Sequence, residues 1–421
     1  MENEYPGPII TEPKRFHLNK SVILALIGLA IILSVAQYAY IFHFISNHLK
    51  KTAAQQYSAG KISSSTSSQQ PTTSNTPPPG TPGTPGNPYA AMHILPPAGA
   101  FNILNYGAST NSNNNLQAIQ KAIDAAAIND GTVYIPDGTY NVSGTIFIHN
   151  PITLEGEDRA SVILMETKSS ADLIDDRTNN TTVRNLTLNT QQYNGGHTFG
   201  TGGSYTTLMD MTVLSGHQPG HFDLYFAGPP TARVIAPVYS QGNTIENIVD
   251  NEQICDDGIS WSFQQNGTID NVAETGSRLA LFIDNGDTIN NFTFYPGQYQ
   301  QANCKSDITG FWITPPSENI TINNFTSYAM GGKLTASSKN RYSSNININN
   351  EVMANPGFNI SIGDVTNMKI SNSNFLNNTI LVNGHTENIT ISNTKASAIK
   401  PYPFPSGYNV VCQNVSPFQC N

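Results

Sequence analysis

Two adjacent carboxylates begin an apolar stretch in the C-terminal half of the chain, Asp256 and Asp257 in Cys255-Asp-Asp-Gly-Ile-Ser260. Two like charges held close together raise the pKa of one of them, which places an acid beside a base. Hydrolysis of a glycosidic bond needs that division of roles, with ~6.5–9.5 Å between the carboxyls in inverting enzymes. Asp223, on the far side of the insertion 228–241, is a candidate third carboxylate.

The same residue types also have structural explanations. Asp-Gly is frequent at turns because Gly accepts positive φ and Asp caps the turn. Arg278 begins the next apolar stretch, where it could abstract a proton as the base of a lyase or be a salt-bridged or solvated residue. The catalytic candidates are therefore Asp223, Asp256, Asp257 and Arg278.

Further polar residues precede the neighbouring apolar stretches and are candidates for substrate binding. They are His221, Ser277, Lys305 and Asp307. His217 and His221 are spaced too loosely for a metal pair, so no metal site is predicted. The net charge of −9 and the absence of a basic face exclude nucleic acid as a partner.

A recurring Thr-Ile-x-Asn-apolar unit determines the predicted fold. Copies start at Thr182, Thr207, Thr244, Thr268, Thr288, Thr321, Asn347, Lys369 and Thr390. A second strand-like segment precedes each copy, for example Gly258-Ile-Ser-Trp-Ser-Phe263. Two short strands in twenty-odd residues are typical of one coil of a β-solenoid. The period-2 pattern directs one Ile of each copy inward, and it also places Trp261 and Trp312 inside.

The Asn of each copy should form a ladder of amides at a bend of the coil. Asp210 occupies the equivalent position in one copy and is expected to interrupt it. Asn185, Asn291 and Asn324 match the glycosylation sequon but should be buried in the ladder. The candidates for glycosylation are sequon residues at the preceding turn, namely Asn180, Asn266, Asn319 and Asn388.

The N-terminal region contains an uncharged run, Ser21 to Ile45, which is long enough to cross a bilayer. A cleaved signal peptide is the alternative, but its apolar region would span only ~7–15 residues. The predicted organisation is a cytoplasmic tail (1–20), a transmembrane signal-anchor helix (21–46), a disordered Ser/Thr/Pro/Gly-rich stalk (47–97) and an extracellular domain (98–421).

All four cysteines follow the predicted membrane span, which is consistent with an oxidising compartment outside the cell. Four cysteines allow three pairings. The expected pairs are Cys412–Cys420, closing the tail, and Cys255–Cys304, tying an inserted loop to the Asp256 coil.

Three segments near residue 100 resemble the opening of pectate-lyase-like β-helix proteins. They are Asn105-Tyr-Gly-Ala108, Ala118-Ile-Gln-Lys-Ala-Ile-Asp124 and Gly131-Thr-Val-Tyr-Ile-Pro-Asp-Gly-Thr-Tyr140. The resemblance implies a right-handed, single-stranded parallel β-helix of about ten coils whose N-terminal end is plugged by a helix. The three- and four-residue spacing of Leu116, Ile119, Ile123 and Ala126 predicts this amphipathic helix, with an N-cap among Asn113 to Asn115 and an end at Asn129-Asp-Gly131. It also implies that substrate lies across the outer face of the sheet built from the first strand of each coil.

Cys255-Asp-Asp-Gly-Ile-Ser260 resembles the Asp-Asp strand of polygalacturonases, but Gly276-Ser277-Arg278 replaces their Gly-His-Gly and no Arg-Ile-Lys follows. The expected function is that of a membrane-tethered extracellular protein that hydrolyses polysaccharide with paired carboxylates. A lyase and a non-catalytic glycan-binding or structural protein are the alternatives. No cofactor is firmly implied, although Ca²⁺ would accompany a lyase.

Overall fold

The structure, a computed structural model, describes residues 93–168, 172–191, 196–216, 222–229, 237–252, 257–276, 278–297, 310–328, 333–334, 341–354, 359–400 and 409–417. All of these belong to the unit Pro85–Asn421. The predicted tail, membrane span and most of the stalk lie outside them, so those predictions stand untested. Within the described ranges, no helix has the length and apolarity that crossing a membrane requires.

The described residues form an all-β parallel solenoid of about nine turns, close to the ten predicted. Each coil contributes a first strand, a turn, a Thr-Ile strand, a bend at Asn and a third strand. Parallel pairing of equivalent strands then builds three sheets along the solenoid axis, as in the register Thr244↔Thr268↔Thr288. The predicted fold class is confirmed for this part of the chain.

Sheet 1 is built from the first strand of each coil. Its strands are Ile146–Ile148, Asp172–Asp176, His197–Thr201, Leu224–Phe226, Asp257–Ser262, Arg278–Phe282, Phe311–Thr314, Lys333–Leu334 and the beginning of Asn359–Ser371. Sheet 2 carries the repeat unit. Its strands are Thr132–Ile135, Thr153–Gly156, Thr182–Arg184, the first halves of Thr207–Leu214, Thr244–Asn251, Thr268–Thr275 and Thr288–Tyr295, then Thr321–Asn323, Asn347–Asn349, the end of Asn359–Ser371 and Val410–Gln413.

Sheet 3 follows the Asn bend. Its strands are Gly138–Val142, Val162–Glu166, Thr187–Asn189, the second halves of the four long strands of sheet 2, Thr326–Ser327, Val352–Met353, Lys395–Lys400 and Ser416–Pro417. The strand Asn374–Ser392 passes through all three sheets, and Phe101–Asn102 starts the stack on sheet 2. Short strands at turns complete the set: Ser240–Gln241, Gln264–Gln265 and Ser343–Ser344.

The predicted helix is present as Leu116–Ala126, it covers the N-terminal end of the solenoid, and it ends before the predicted stop at Asn129-Asp-Gly131. Asn114, rather than Asn115, caps it, because the Asn114 Oδ1 accepts the Leu116 backbone N–H at 3.0 Å. The helix buries Ile119 and Ile123 in the same core as the first coils, which seals the open end of the sheets from water.

The Ile of the repeat lies inside the solenoid, as predicted. The residues of this column are 0–1 % exposed: Ile245, Ile269, Ile289, Ile322, Ile348, Ile370 and Ile391. The Asn ladder is also present, and its residues adopt positive φ. Asn324 Nδ2, for example, donates to Asn291 Oδ1 at 2.9 Å, and Asn350 Nδ2 donates to Asn324 Oδ1 at 2.7 Å.

Two details of the ladder prediction were wrong. Asn291 and Asn324 are exposed, since the bend turns their amides outward, and only Asn185 among the three is buried. Asp210 continues the ladder rather than interrupting it: it adopts a φ of 54°, and its Oδ1 accepts the Asn247 Nδ2 at 3.0 Å.

A second asparagine ladder, which the sequence analysis missed, follows the turn before sheet 2. It runs through Asn285, Asn319, Asn345, Asn367, Asn388 and Asn409. Two glycosylation candidates, Asn319 and Asn388, therefore already donate an Nδ2 hydrogen bond within it. Asn180 and Asn266 are exposed turn residues at positive φ and stay candidates.

Candidate functional site

The predicted site lies where the strands of sheet 3 end and those of sheet 1 begin. Asp223, Asp257 and Arg278 are described there. The other predicted site residues lie outside the described ranges: Asp256, His221, Ser277, Lys305 and Asp307, together with Cys255, Cys304 and Cys420. Cys412, the one cysteine among the described residues, is disulfide-bonded, and its pairing with Cys420 stays a prediction.

Asp257 and Arg278 form an ion pair between adjacent strands of sheet 1. They are opposite each other in the register, and Arg278 Nε donates to Asp257 Oδ1 at 2.5 Å. Asp257 is 2 % exposed and Arg278 is 9 % exposed. Asp257 is therefore buried in an ion pair rather than exposed to solvent. Of the two explanations for Arg278, the structure shows the salt bridge.

The guanidinium of Arg278 also lies 4.7 Å from the centre of the Trp312 ring. Trp312 was expected in the core, but its neighbours Phe311 and Ile313 point inward, so Trp312 is on the outer face and only half-buried. Trp261 is in the core as predicted, and its Nε1 donates to Asp287.

Asp223 lies among three further buried acids, which we call the buried acid group: Asp223, Asp250, Glu252 and Glu274. They are 4 %, 0 %, 1 % and 0 % exposed. Asp250 and Glu274 are register partners in sheet 3. The backbone N–H of Asp223 donates to the Gly258 carbonyl at 3.0 Å, which fixes Asp223 next to the Asp257 strand.

Gly258 makes room for this group. A β-carbon at position 258 would lie 1.6 Å from Glu252 Oε1 and 2.1 Å from Glu274 Oε1. Any other residue would displace both carboxylates, so the glycine after Asp257 is required by the acids that converge over its α-carbon.

Burial raises the pKa values in this group. It raises the pKa of Asp223 to about 7, against a smaller lowering by the Ser215 hydroxyl. Burial, and next the charges of Asp223 and Glu252, raise the pKa of Asp250 well above its ordinary value. Burial followed by the charge of Asp250 does the same for Glu274. The physical cause is that carboxylates taken out of water disfavour their charged form and repel one another.

Asp250, Glu252 and Glu274 were not among the predicted site residues, although the repeat contained a signal for two of them. In register, Val213, Asp250, Glu274 and Phe294 form one inward-facing column. Two acids at positions that are apolar in neighbouring coils are unusual, because burying an unpaired charge costs free energy. Tracking that column by its period would have pointed to the site.

Aromatic side chains lie on the outer face beside these acids. His197 stacks on Tyr225, with ring centres 4.5 Å apart, and on Phe222 at 5.6 Å. Its Nδ1 lies 2.8 Å from Asp172 Oδ1, which orients the imidazole. Along sheet 1, Tyr225, Ser260, Ala280 and Trp312 follow one another in register, so two aromatic rings border two small residues.

A comparison with known protein families identifies the family of the chain. A family model described as "Rhamnogalacturonase A/epimerase, pectate lyase-like" matches residues 100–352. The chain belongs to this family. Its members share the parallel β-helix, so the resemblance seen in residues 105–140 is confirmed.

Solved β-helix structures similar to this chain include an epimerase module, a glucanase and an adhesin. The A-module of mannuronan C-5 epimerase AlgE4 from Azotobacter vinelandii is 14 % identical, with 75 % of this chain and 96 % of that chain covered and a TM-score of 0.44. The catalytic unit of a GH87 α-1,3-glucanase from Streptomyces thermodiastaticus is 14 % identical (78 % and 70 % covered, TM-score 0.43). PfbA, a surface adhesin of Streptococcus pneumoniae, is 14 % identical (75 % and 92 % covered, TM-score 0.38). No curated protein sequence matches the chain.

Proposed function

We propose that this member of the rhamnogalacturonase A/epimerase, pectate lyase-like family binds a polysaccharide along the outer face of sheet 1 and hydrolyses it at the Asp256–Asp257 edge. The proposal is carried by the position of Asp257 and Arg278 on the two strands that lie between those of Tyr225 and Trp312, whose half-buried rings flank the buried Ser260 and Ala280 in the row Tyr225–Ser260–Ala280–Trp312. Rungs are ~4.8 Å apart, so this row extends over ~14 Å, and its two aromatic rings offer apolar faces to sugar rings.

Asp256 and Asp257 divide the acid and base roles in this proposal. Arg278 compensates the charge of Asp257 and holds its carboxyl in place. Asp223 takes no acid–base role here, because its neighbours are the acids Asp250 and Glu252 rather than the outer face of sheet 1. Outside the described residues, His221, Ser277, Lys305 and Asp307 remain candidates for substrate binding.

The experiment is to incubate the full-length protein with a panel of polysaccharides and to assay new reducing ends and unsaturated products separately. Hydrolysis gives reducing ends without unsaturated products, whereas a lyase gives both. Asp256→Asn should lower the rate by ~10²-fold or more, the usual weight of general acid–base catalysis. Asp270→Asn, a carboxylate on sheet 2 away from the site, is the matched control.

A non-catalytic glycan-binding protein is the second candidate, and the burial of Asp257 in its ion pair favours it. In that case no polysaccharide yields products, yet binding is measurable by calorimetry and Tyr225→Ala weakens it. Absence of both products and binding would contradict both candidates.

We also propose that the protein is tethered to the cell membrane through residues 21–46, with residues 98–421 outside the cell. The uncharged run Ser21 to Ile45, the cysteines and the sequons of the sequence support this placement.

A further inference from the structure

The outer face of sheet 1 carries an aromatic side chain at every third rung from Phe147 to Trp312. The rings of Phe147, Tyr225 and Trp312 are half-buried, and the strand neighbours of each are buried, so all three rings lie outside the solenoid. The register places two rungs between Phe147 and Tyr225 and two more between Tyr225 and Trp312. Successive rings are therefore ~14 Å apart, and the first and the last are ~29 Å apart.

The rungs between the rings carry shorter side chains. In register, these residues are Asp175 and Gly200 in the first interval and Ser260 and Ala280 in the second. Gly200, Ser260 and Ala280 are buried, whereas the three rings keep part of their surface in water. The rings are therefore the parts of this row that a ligand lying along sheet 1 would contact.

A basic side chain lies against each ring, and a carboxylate holds that side chain. The Arg177 guanidinium is 4.7 Å from the centre of the Phe147 ring, and Arg177 Nε donates to Asp175 Oδ2 at 2.8 Å. His197 and Arg278 take the place of Arg177 at the second and third rings, and each is also paired with a carboxylate. Rings that are held in place before binding lose little conformational entropy when a ligand binds, which favours affinity.

Packing of the core does not account for these rings. Outward positions of a sheet can face water, where polar residues serve equally well, so a regular row of aromatic side chains there indicates a contact surface. Sugar rings present apolar C–H faces surrounded by hydroxyl groups. Aromatic faces bordered by charged groups match both parts of such a ligand. The Phe147 ring also continues the row in which Tyr225 and Trp312 contact the proposed glycan.

We propose that Phe147 and Arg177 form a remote glycan contact, six rungs from Trp312, and that the ligand of sheet 1 is a linear chain long enough to reach both. This inference rests on the proposed binding of glycan along sheet 1 and adds a site to it. A length of ~29 Å exceeds that of a disaccharide, so short fragments occupy only part of the row. Contacts joined in one ligand reinforce each other, because the second contact forms at a high effective concentration.

The test measures by calorimetry how full-length protein binds size-fractionated fragments of rhamnogalacturonan, polygalacturonate and α-1,3-glucan, from disaccharides to long chains. For a glycan that binds, the affinity should rise with chain length and level off once the extended chain covers ~29 Å. Phe147→Leu keeps an apolar side chain but removes the ring. It should weaken binding of long chains by at least ~10-fold, a typical weight for an aromatic anchor. In this variant the affinity should level off at ~14 Å, the distance from Tyr225 to Trp312.

Arg177→Gln is a second variant at the same contact. The Arg177 side chain is 56 % exposed, so its loss should leave the fold intact, and it should weaken only the binding of long chains. Tyr205→Leu is the matched control, because it removes an exposed ring at a turn outside sheet 1 and should leave the length dependence unchanged. Circular dichroism checks that each variant is folded.

The same length dependence in wild type, Phe147→Leu and Arg177→Gln would overturn the remote contact and leave the proposed binding at Tyr225 and Trp312 in place. Binding that depends on chain length and on Phe147, but yields no product, would support the remote contact and contradict the proposed hydrolysis. Absence of binding to every fragment would overturn both proposals.

Discussion

Asp257 is a proposed catalytic residue, and it is also held in a buried ion pair with Arg278. The Arg278 guanidinium contacts both the Asp257 carboxylate and the Trp312 ring, so its charge is compensated on two sides. A substitution of Asp257 therefore tests stability as well as activity, in contrast to the behaviour of an exposed carboxylate.

We predict that Asp257→Ala lowers the free energy of unfolding by about 3–5 kcal/mol, because it leaves a buried guanidinium without its partner. Chemical denaturation followed by circular dichroism measures the change. Glu246→Ala, a half-buried acid on the outer side of sheet 2, is the control and should change stability little. Equal effects of the two substitutions would show that the pair does not stabilise the fold.

Glu351 is a second buried acid whose titration should be visible. It is 0 % exposed, its carboxyl oxygens have no hydrogen-bond partner among the described residues, and burial raises its pKa from 4.5 to about 8. Because the folded state binds the proton more tightly than the unfolded state, this residue favours folding below pH 4.5. That contribution is lost progressively as the pH rises to about 8.

We predict that Glu351→Gln raises the melting temperature relative to wild type by an amount that grows between pH 5 and pH 8. Differential scanning calorimetry at several pH values measures this. Glu318→Gln, an exposed acid, serves as the control and should show no such trend. A pH-independent difference would mean that Glu351 does not titrate with a raised pKa.

At the scale of the strand and its bend, the asparagine ladder combines two requirements. Asn324 needs an amide to donate to Asn291 and to accept from Asn350, and it needs a positive φ of 57°. Asparagine satisfies both, since its short polar side chain tolerates the left-handed region better than other residues do.

Two substitutions at Asn324 separate these requirements. Asn324→Gly should lose only the side-chain hydrogen bonds, about 1 kcal/mol. Asn324→Ala should lose them and also cost about 1–2 kcal/mol for the left-handed backbone. Thermal unfolding gives the order wild type, Gly, Ala. If Ala were as stable as Gly, the backbone conformation would not be what selects asparagine here.

At the scale of the whole chain, the proposed membrane anchor can be tested separately from the solenoid. Full-length protein should remain with membranes after an alkaline carbonate wash, because the run Ser21 to Ile45 is long enough to span the bilayer. A chain that begins at residue 98 should be released as the control. Release of the full-length protein by the same wash would contradict the anchor.

The sequence by itself determined the solenoid fold, because the same Thr-Ile-x-Asn-apolar pattern recurs in successive coils. Each coil contains the inward Ile and the Asn of the bend, so the parallel stack and the ladder were predictable from the period of the repeat. The helix Leu116–Ala126 was predictable from its own three- and four-residue apolar spacing. Asp223, Asp257 and Arg278 were also located near the same edge of the coils.

Only the tertiary structure decided what those residues face. Burial depends on neighbours from other coils: the 2 % exposure of Asp257 follows from its pairing with Arg278, and the convergence of Asp250 and Glu274 follows from the register of sheet 3. The direction of Trp312 and the exposure of Asn324 likewise depend on how the chain bends within the coil. The repeat shows which positions of successive coils are equivalent. It does not show charge compensation, solvent access or the space above Gly258, because these depend on contacts between side chains of different coils.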